Sequence, residues 1–369
     1  MSRRPTRLLI PFCDDSTLIF AVRLRALLHE AAPSASVILG CYMPEEGLSR
    51  RQLEMFVPDG DYLLLTDEGL VQAVQDGQYD AVLTSRVFQP LRSLLTTPAF
   101  RHHRGRAQVI AFLGGLDFFP ERGFANRMPC DGVFLFPQSD LKTFADYAAQ
   151  QAAHDSSLGA PLVDFGHPTF LEPAPNPPGD LADRRDIYFF AQAISPLTRR
   201  GRVHVLNVMT ALAEAYPHRD VWIKLRHLPD ENQTHLHREK HDYARLMDSA
   251  RQPWPANLKL TACSMQEAIE RAALGITCTS TAAIDLIREG VPTMVYVDYV
   301  DAYMDPMAAA MRRIFAQSGV IVTLDDLLHL RHGTPDPDWL REMFCPRDLG
   351  QRVLAMLERL QPLASSASE

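Results

Sequence analysis

Lys224, Arg226 and His227 close a short apolar run, and Glu231, Gln233, Thr234, His235, Arg238 and Tyr243 follow within VWIKLRHLPDENQTHLHREKHDY, Val221 to Tyr243. Lys224 and Arg226, two positions apart, leave one face of a predicted strand at its end. Arginine offers a planar fork of donors, lysine a point charge, and histidine a donor whose strength follows its protonation; together they suit a phosphate. The alternative is a row of surface ion pairs with Asp230, Glu231, Glu239 and Asp242. Position favours the anion, because open parallel sheets bind ligands beyond the carboxyl ends of their strands. His227, His235, His237 and His241 match no zinc spacing and have no cysteine nearby, so no metal is expected there.

A second cluster is TCTSTAA, Thr277 to Ala283, ahead of IDLIREGVP. A strand ending near Cys278 would leave Thr279, Ser280 and Thr281 to open a helix, where hydroxyls and free main-chain N–H groups meet the positive end of the helix dipole. Ser280 alone would suffice as a cap, and three hydroxyls in succession exceed what a cap requires. Asp14 and Asp15, after the first predicted strand, read either as a general base facing a ligand or as the cap of the next helix. Gly114 and Gly115 after Leu113, and Ser85 after Thr84, are weaker candidates for close approach to a ligand. Neither GxGxxG nor GxxxxGK[ST] occurs at a strand-to-helix junction, which argues against a dinucleotide oxidoreductase or a P-loop nucleotidase.

The elements that must position these residues alternate between short apolar runs and amphipathic segments, the pattern of a doubly wound α/β fold. In the first half the predicted strands are Arg7–Phe12, Ser36–Tyr42, Tyr62–Leu65, Ala81–Thr84, Gln108–Leu113 and Gly132–Phe136, with helices over Leu18–Glu30 and Leu141–Ala152. HPTFLEPAPNPPG, from His167, carries five prolines and reads as a linker. The alternation then restarts. Predicted strands are Ile187–Ala191, Val221–Leu225, Leu258–Ala262, Leu274–Cys278 and Pro292–Val297; predicted helices are Val203–Ala215, Met265–Ala272, Ala282–Arg288 and Leu349–Leu360. The expected organisation is a Rossmann-like domain over 1–167, a linker over 168–185, a second Rossmann-like domain over 186–362, and a frayed tail over 363–369. Two such domains would face one another across a cleft, with Gln192, just past the first strand of the second domain, among its residues.

Length and charge set limits on partners. A chain of 369 residues suits two domains of roughly 150 to 200 residues. A net charge of -8 argues against non-specific nucleic-acid binding, which needs a broad basic surface. The six cysteines lack CxxC spacing and suit reduced core thiols in a cytoplasmic protein. The apolar run in MSRRPTRLLIPFCDD is too short for a signal peptide, and no stretch approaches the ~20 apolar residues of a membrane span, so any membrane association would be peripheral.

With these residues in view, the second half resembles an uncharacterised family of bacterial GT-B glycosyltransferases. The shared pattern is Lys-x-Arg at Lys224 and Arg226, Glu-x-Gln-Thr-His at Glu231 to His235, and Tyr243; Pro-x-Asn-Leu at Pro255 to Leu258; Ser-Thr-Ala-Ala at Ser280 to Ala283 ahead of Gly290, Val291 and Pro292; and Phe-x-x-Ser-Gly at Phe315 to Gly319. Asp15, Ser16 and Leu18, and Ala191 to Ala193, match further elements. The likeness covers most of residues 186–320 and is thin before them. A more distant one is to capsule-type transferases and sialyltransferases using CMP-activated sugars, whose Lys-x-His-Pro is interrupted here by Leu228 between His227 and Pro229. That leaves the phosphate-binding histidine open between His227 and His235. The resemblance implies transfer of a sugar from a nucleotide-sugar co-substrate, CMP-sugar slightly favoured over UDP, GDP or CDP, to a hydroxyl of a glycan, glycolipid or other surface acceptor. It also implies no metal or other cofactor. Lys224, Arg226, His227, Glu231, Gln233, Thr234, His235, Thr279, Ser280 and Thr281 would hold the nucleotide phosphate, and Asp14 or Asp15 would act as base. The rival readings are a non-hydrolysing nucleotide-sugar epimerase and a non-catalytic nucleotide- or glycan-binding protein of the same fold.

Overall fold

Parallel strands covered on both faces read as unbroken apolar runs, and the computed structural model builds two parallel sheets from such runs. It describes residues 6–45, 47–101, 103, 105–113, 120–154, 160–173, 184–193, 195–228, 231, 239–250, 253–278, 280–303 and 314–360. The candidates Gly114, Gly115, Gln233, Thr234, His235 and Thr279 lie outside these residues. The described residues of Met1–Leu171 and Arg341–Glu369 form one compact unit, and those of Glu172–Leu340 another.

In the first unit the strands are β1 (Arg7–Phe12), β2 (Ser36–Tyr42), β3 (Leu63–Leu65), β4 (Ala81–Thr84), β5 (Gln108–Phe112), β6 (Gly132–Leu135) and β7 (Leu162–Phe165). They pair in parallel in the order β3-β2-β1-β4-β5-β6-β7. The order reverses between β1 and β4, the place where such sheets leave room for a ligand. Leu8, Leu9, Ile10, Val82, Leu83, Val109 and Ile110 are fully buried in its core. The amphipathic helix Leu349–Leu360 belongs here too, whereas the sequence reading placed it in the second domain. Its Gly350 sits where a Cβ would meet the Leu27 carbonyl oxygen at 2.3 Å, and Met356 Sδ lies where a Cβ on Gly132 would be. The predicted linker likewise starts inside this unit. Phe170 is fully buried, stacks on Phe136 at 4.1 Å between ring centroids, and accepts the Cys345 N–H at its carbonyl.

In the second unit the strands are β8 (Asp186–Phe190), β9 (Val221–Lys224), β10 (Leu258–Thr261), β11 (Ala272–Thr277), β12 (Thr293–Tyr296) and β13 (Ile321–Val322). The sheet is again parallel, in the order β10-β9-β8-β11-β12-β13, with its reversal between β8 and β11. Register places Phe190 level with Lys224 on one side and Thr277 on the other. The chain segments following β9, β8 and β11 therefore leave the sheet side by side. Each unit is thus doubly wound, as the alternation predicts. No described helix is long and apolar enough to cross a membrane.

Candidate functional site

The predicted phosphate ligands gather along the carboxyl edge of the second sheet. Gln192 follows β8, Lys224 ends β9 with Arg226 and His227 just beyond it, and Ser280 and Thr281 follow β11. These three strands are neighbours, so the sheet brings together residues that are up to 89 positions apart in sequence, from Gln192 to Thr281. Lys224 and Arg226 are half-buried, as expected of side chains that lie along an edge. His227 is only 2% exposed; its Nδ1 lies 3.1 Å from the Leu228 carbonyl and its Nε2 3.7 Å from a Glu239 oxygen. Glu231 accepts the Leu228 N–H at 2.8 Å, beyond the end of β9.

The hydroxyls divide between local and available roles. Thr277 Oγ1, fully buried, donates to the Phe190 carbonyl at 3.3 Å and accepts the Ser280 N–H at 3.2 Å, tying β11 to β8 and to the start of the helix Ala282–Arg288. Ser280 Oγ accepts the Ala282 N–H at 3.1 Å, the simple capping role. Thr281 is the N-cap residue, yet its exposed side chain makes no capping bond. Gly290, at φ +70°, then ends the helix as a left-handed glycine does.

Behind this edge lies a buried polar network that the sequence reading missed. Arg202, on the helix Arg199–Ala215, is 1% exposed. Its Nη2 donates to the carbonyls of Gln192 at 2.6 Å and Ala193 at 2.7 Å, its Nε to that of Pro196 at 2.9 Å, and its Nη1 pairs with buried Glu239. The guanidinium also lies over the ring of Tyr243, 5.1 Å from its centroid. Burial pushes the Tyr243 hydroxyl well above its ordinary pKa. Arg202 falls in register with the apolar positions Val205, Leu206, Met209 and Leu212 of its helix, so from sequence it reads only as a polar break in an apolar stripe.

In the first unit, Asp14, Asp15 and Ser85 lie at the carboxyl ends of the two strands that flank the reversal, β1 and β4. Asp14 caps the helix Asp15–Ala31: its Oδ1 accepts from Thr17 N at 2.8 Å and Thr17 Oγ1 at 2.8 Å. Its Oδ2 lies 3.8 Å from Arg86, which also pairs with Glu45. Asp15 Oδ1 accepts the Ser16 N–H at 2.9 Å. Burial, reinforced by the Asp14 charge, pushes the adjacent Cys13 thiol up to about 12, so it stays protonated and is no nucleophile. The Ser85 hydroxyl is buried without a hydrogen-bond partner among the described residues. Its carbonyl accepts from Arg127 at 2.9 Å, a buried arginine that also donates to the Phe112 and Gly123 carbonyls and so fastens the ends of β4 and β5. Among the described residues no group of three or more His, Cys, Asp or Glu side chains is placed to hold a metal.

Residues 14–360 match the protein family described as "Putative glycosyltransferase (DUF6716)". No curated protein matches the chain at a significant level. Solved structures share its fold. The S. aureus MnaA–UDP co-structure is 11% identical, with 99% of each chain covered and a TM-score of 0.56. The "putative UDP-N-acetylglucosamine 2-epimerase" from Listeria monocytogenes is 12% identical, with 95% of each chain covered and a TM-score of 0.54. The glycosyltransferase SnogD from Streptomyces nogalater is 13% identical, with 96% of this chain and 100% of that one covered and a TM-score of 0.53. At such identities the likeness is one of fold, two doubly wound parallel sheets of the GT-B type.

Proposed function

The chain belongs to the family described as "Putative glycosyltransferase (DUF6716)", and we propose that it moves a sugar from a nucleotide-sugar donor to a hydroxyl of a glycan or other surface acceptor. The observation that carries this reading is the convergence of Lys224, Arg226, His227, Ser280, Thr281 and Gln192 on one edge of the second sheet, beside its reversal. Lys224 and Arg226 supply positive charge where the leaving nucleotide gains negative charge, and preorganised stabilisation of that kind is usually the largest catalytic contribution. The hydroxyl of Thr281 adds a donor, Gln192 holds donor or acceptor groups, and His227, buried with its ring nitrogens toward the Leu228 carbonyl and Glu239, backs the edge. The same cations do what a divalent metal would otherwise do at the phosphates. Asp14 or Asp15 is the carboxylate proposed to take the acceptor proton in an inverting transfer.

A thermal-shift panel of UDP, CMP, GDP and CDP tests the donor site. UDP joins CMP at the head of the panel because one fold neighbour was solved with UDP. A nucleotide at 100 times its Kd stabilises by about 2.7 kcal/mol, a rise of roughly 5–10 °C in Tm for units of this size. Arg226→Ala should abolish most of that rise. No response to any of the four nucleotides would sink the donor site. An epimerase would instead release an epimer from a UDP-sugar with no acceptor present, a product that chromatography separates from transfer.

A further inference from the structure

Arg202 occupies a core position of its helix, where leucine or methionine would pack without carrying a charge out of water. Its donors converge instead on one short stretch of main chain, the carbonyls of Gln192, Ala193 and Pro196, at 2.6, 2.7 and 2.9 Å. The remaining arm pairs with Glu239, 5% exposed, whose second oxygen lies 3.7 Å from His227 Nε2. One buried pair therefore spans the segment after β8 and the segment after β9. The first carries Gln192, and the second carries Lys224, Arg226 and His227.

We infer that Arg202 is a positioning residue of the donor site, an inference that rests on the nucleotide-binding reading above. It fixes the main chain at Gln192 and Ala193 and, through Glu239, the imidazole of His227, so that both are set before the nucleotide arrives. Rigid support behind the groups that touch a ligand is what holds a site in productive geometry. The simpler alternative is that Arg202 only neutralises Glu239. Lysine separates the two, since it keeps the charge and loses the fork that reaches three carbonyls.

The experiment uses the full chain and the variants Arg202→Lys and Glu239→Gln, with UDP and CMP as probes in calorimetric titrations. Amide exchange is followed in the peptide that contains Gln192 and Ala193. Arg202→Lys should raise exchange there at least tenfold and weaken binding of whichever nucleotide the wild type takes by tenfold or more. Glu239→Gln should leave that peptide protected, because the carbonyl bonds survive, yet weaken nucleotide binding by about tenfold through His227. Wild-type exchange and affinity in Arg202→Lys would reduce Arg202 to a counter-charge, and raised exchange with unchanged affinity would equally overturn the inference. Should Arg202→Lys fail to fold, wild-type affinity in Glu239→Gln overturns it. Failure of wild-type protein to bind either nucleotide marks the loss of the donor-site reading itself, and the inference falls with it.

Discussion

His167 makes stability in acid a direct readout of the first unit's packing. Its ring is 4% exposed among Phe20, Phe136 and Phe170, with centroids 5.4, 5.0 and 5.5 Å away, and its Nδ1 accepts the Thr169 N–H at 3.1 Å. Burial, with the nearby charges of Arg23 and Arg127, lowers its pKa from 6.5 to about 3. The sign follows from which state takes the proton. Above about pH 6.5 the imidazole is neutral both folded and unfolded and contributes no pH dependence; below it only the unfolded chain is protonated, and stability falls until the pH reaches about 3. Each pH unit in that window removes about 1.36 kcal/mol, so pH 5 costs about 2 kcal/mol relative to pH 7.5. His167→Asn keeps a short acceptor for the Thr169 N–H and removes the titration. Leaving a hole among three phenylalanines, it is less stable than wild type at pH 7.5, but the gap should narrow by about 2 kcal/mol at pH 5. Urea unfolding followed by far-UV circular dichroism measures the gap. Tryptophan fluorescence serves as the control, since Trp222, Trp254 and Trp339 all lie in the second unit. A gap that stays constant between pH 7.5 and pH 5 would refute the claim that His167 is held neutral by its burial.

Two further substitutions probe the first unit. Phe170→Ala should cost about 3–5 kcal/mol in the same unfolding experiment, because Phe170 is fully buried against Phe136; a loss under 1 kcal/mol would return this stretch to the linker. Asp14→Asn still caps its helix and should change stability by less than about 0.5 kcal/mol. With both Asp14 oxygens occupied by Thr17 and Arg86, transfer activity should survive that change. Asp15→Asn should instead cost about 100-fold or more in kcat, and the reverse pattern would assign the proton to Asp14.

Most strands were legible because burial on both faces removes the alternation that would otherwise blur them. RLLIPF, SVILGCY and AVLT are apolar nearly from end to end, and β1, β2 and β4 span the predicted residues. The two missed strands lacked that signature. β7 is four residues long and includes Asp164, which pairs with Arg352, while β13 has two residues. Periodicity also marked Leu349–Leu360 as amphipathic without saying which sheet its stripe would cover. That choice is made by contacts of long sequence separation, Gly350 against Leu27 and Met356 against Gly132, where a glycine on one partner admits the close approach.

The phosphate edge was legible for a different reason. A strand that runs into Lys224, Arg226 and His227 shows in one window both the apolar run and the polar burst that ends it. Arg202 shows neither. Placed on a helical stripe among Val205, Leu206 and Met209, it reads as a break in the pattern, and a helix predicted to begin at Val203 leaves it outside altogether. Glu239 was equally hidden, since a carboxylate within HREKHDY has several basic neighbours and reads as the surface partner of one of them. The fold pairs it instead with an arginine 37 residues earlier. The cost of desolvating a charge decides between those pairings. An exposed Glu239 would gain little from any neighbouring cation, whereas a buried one is tolerated only beside a partner with matching geometry. Residues in contact with a ligand can therefore announce themselves by type and spacing, while the residues that hold them in place become identifiable once burial is known.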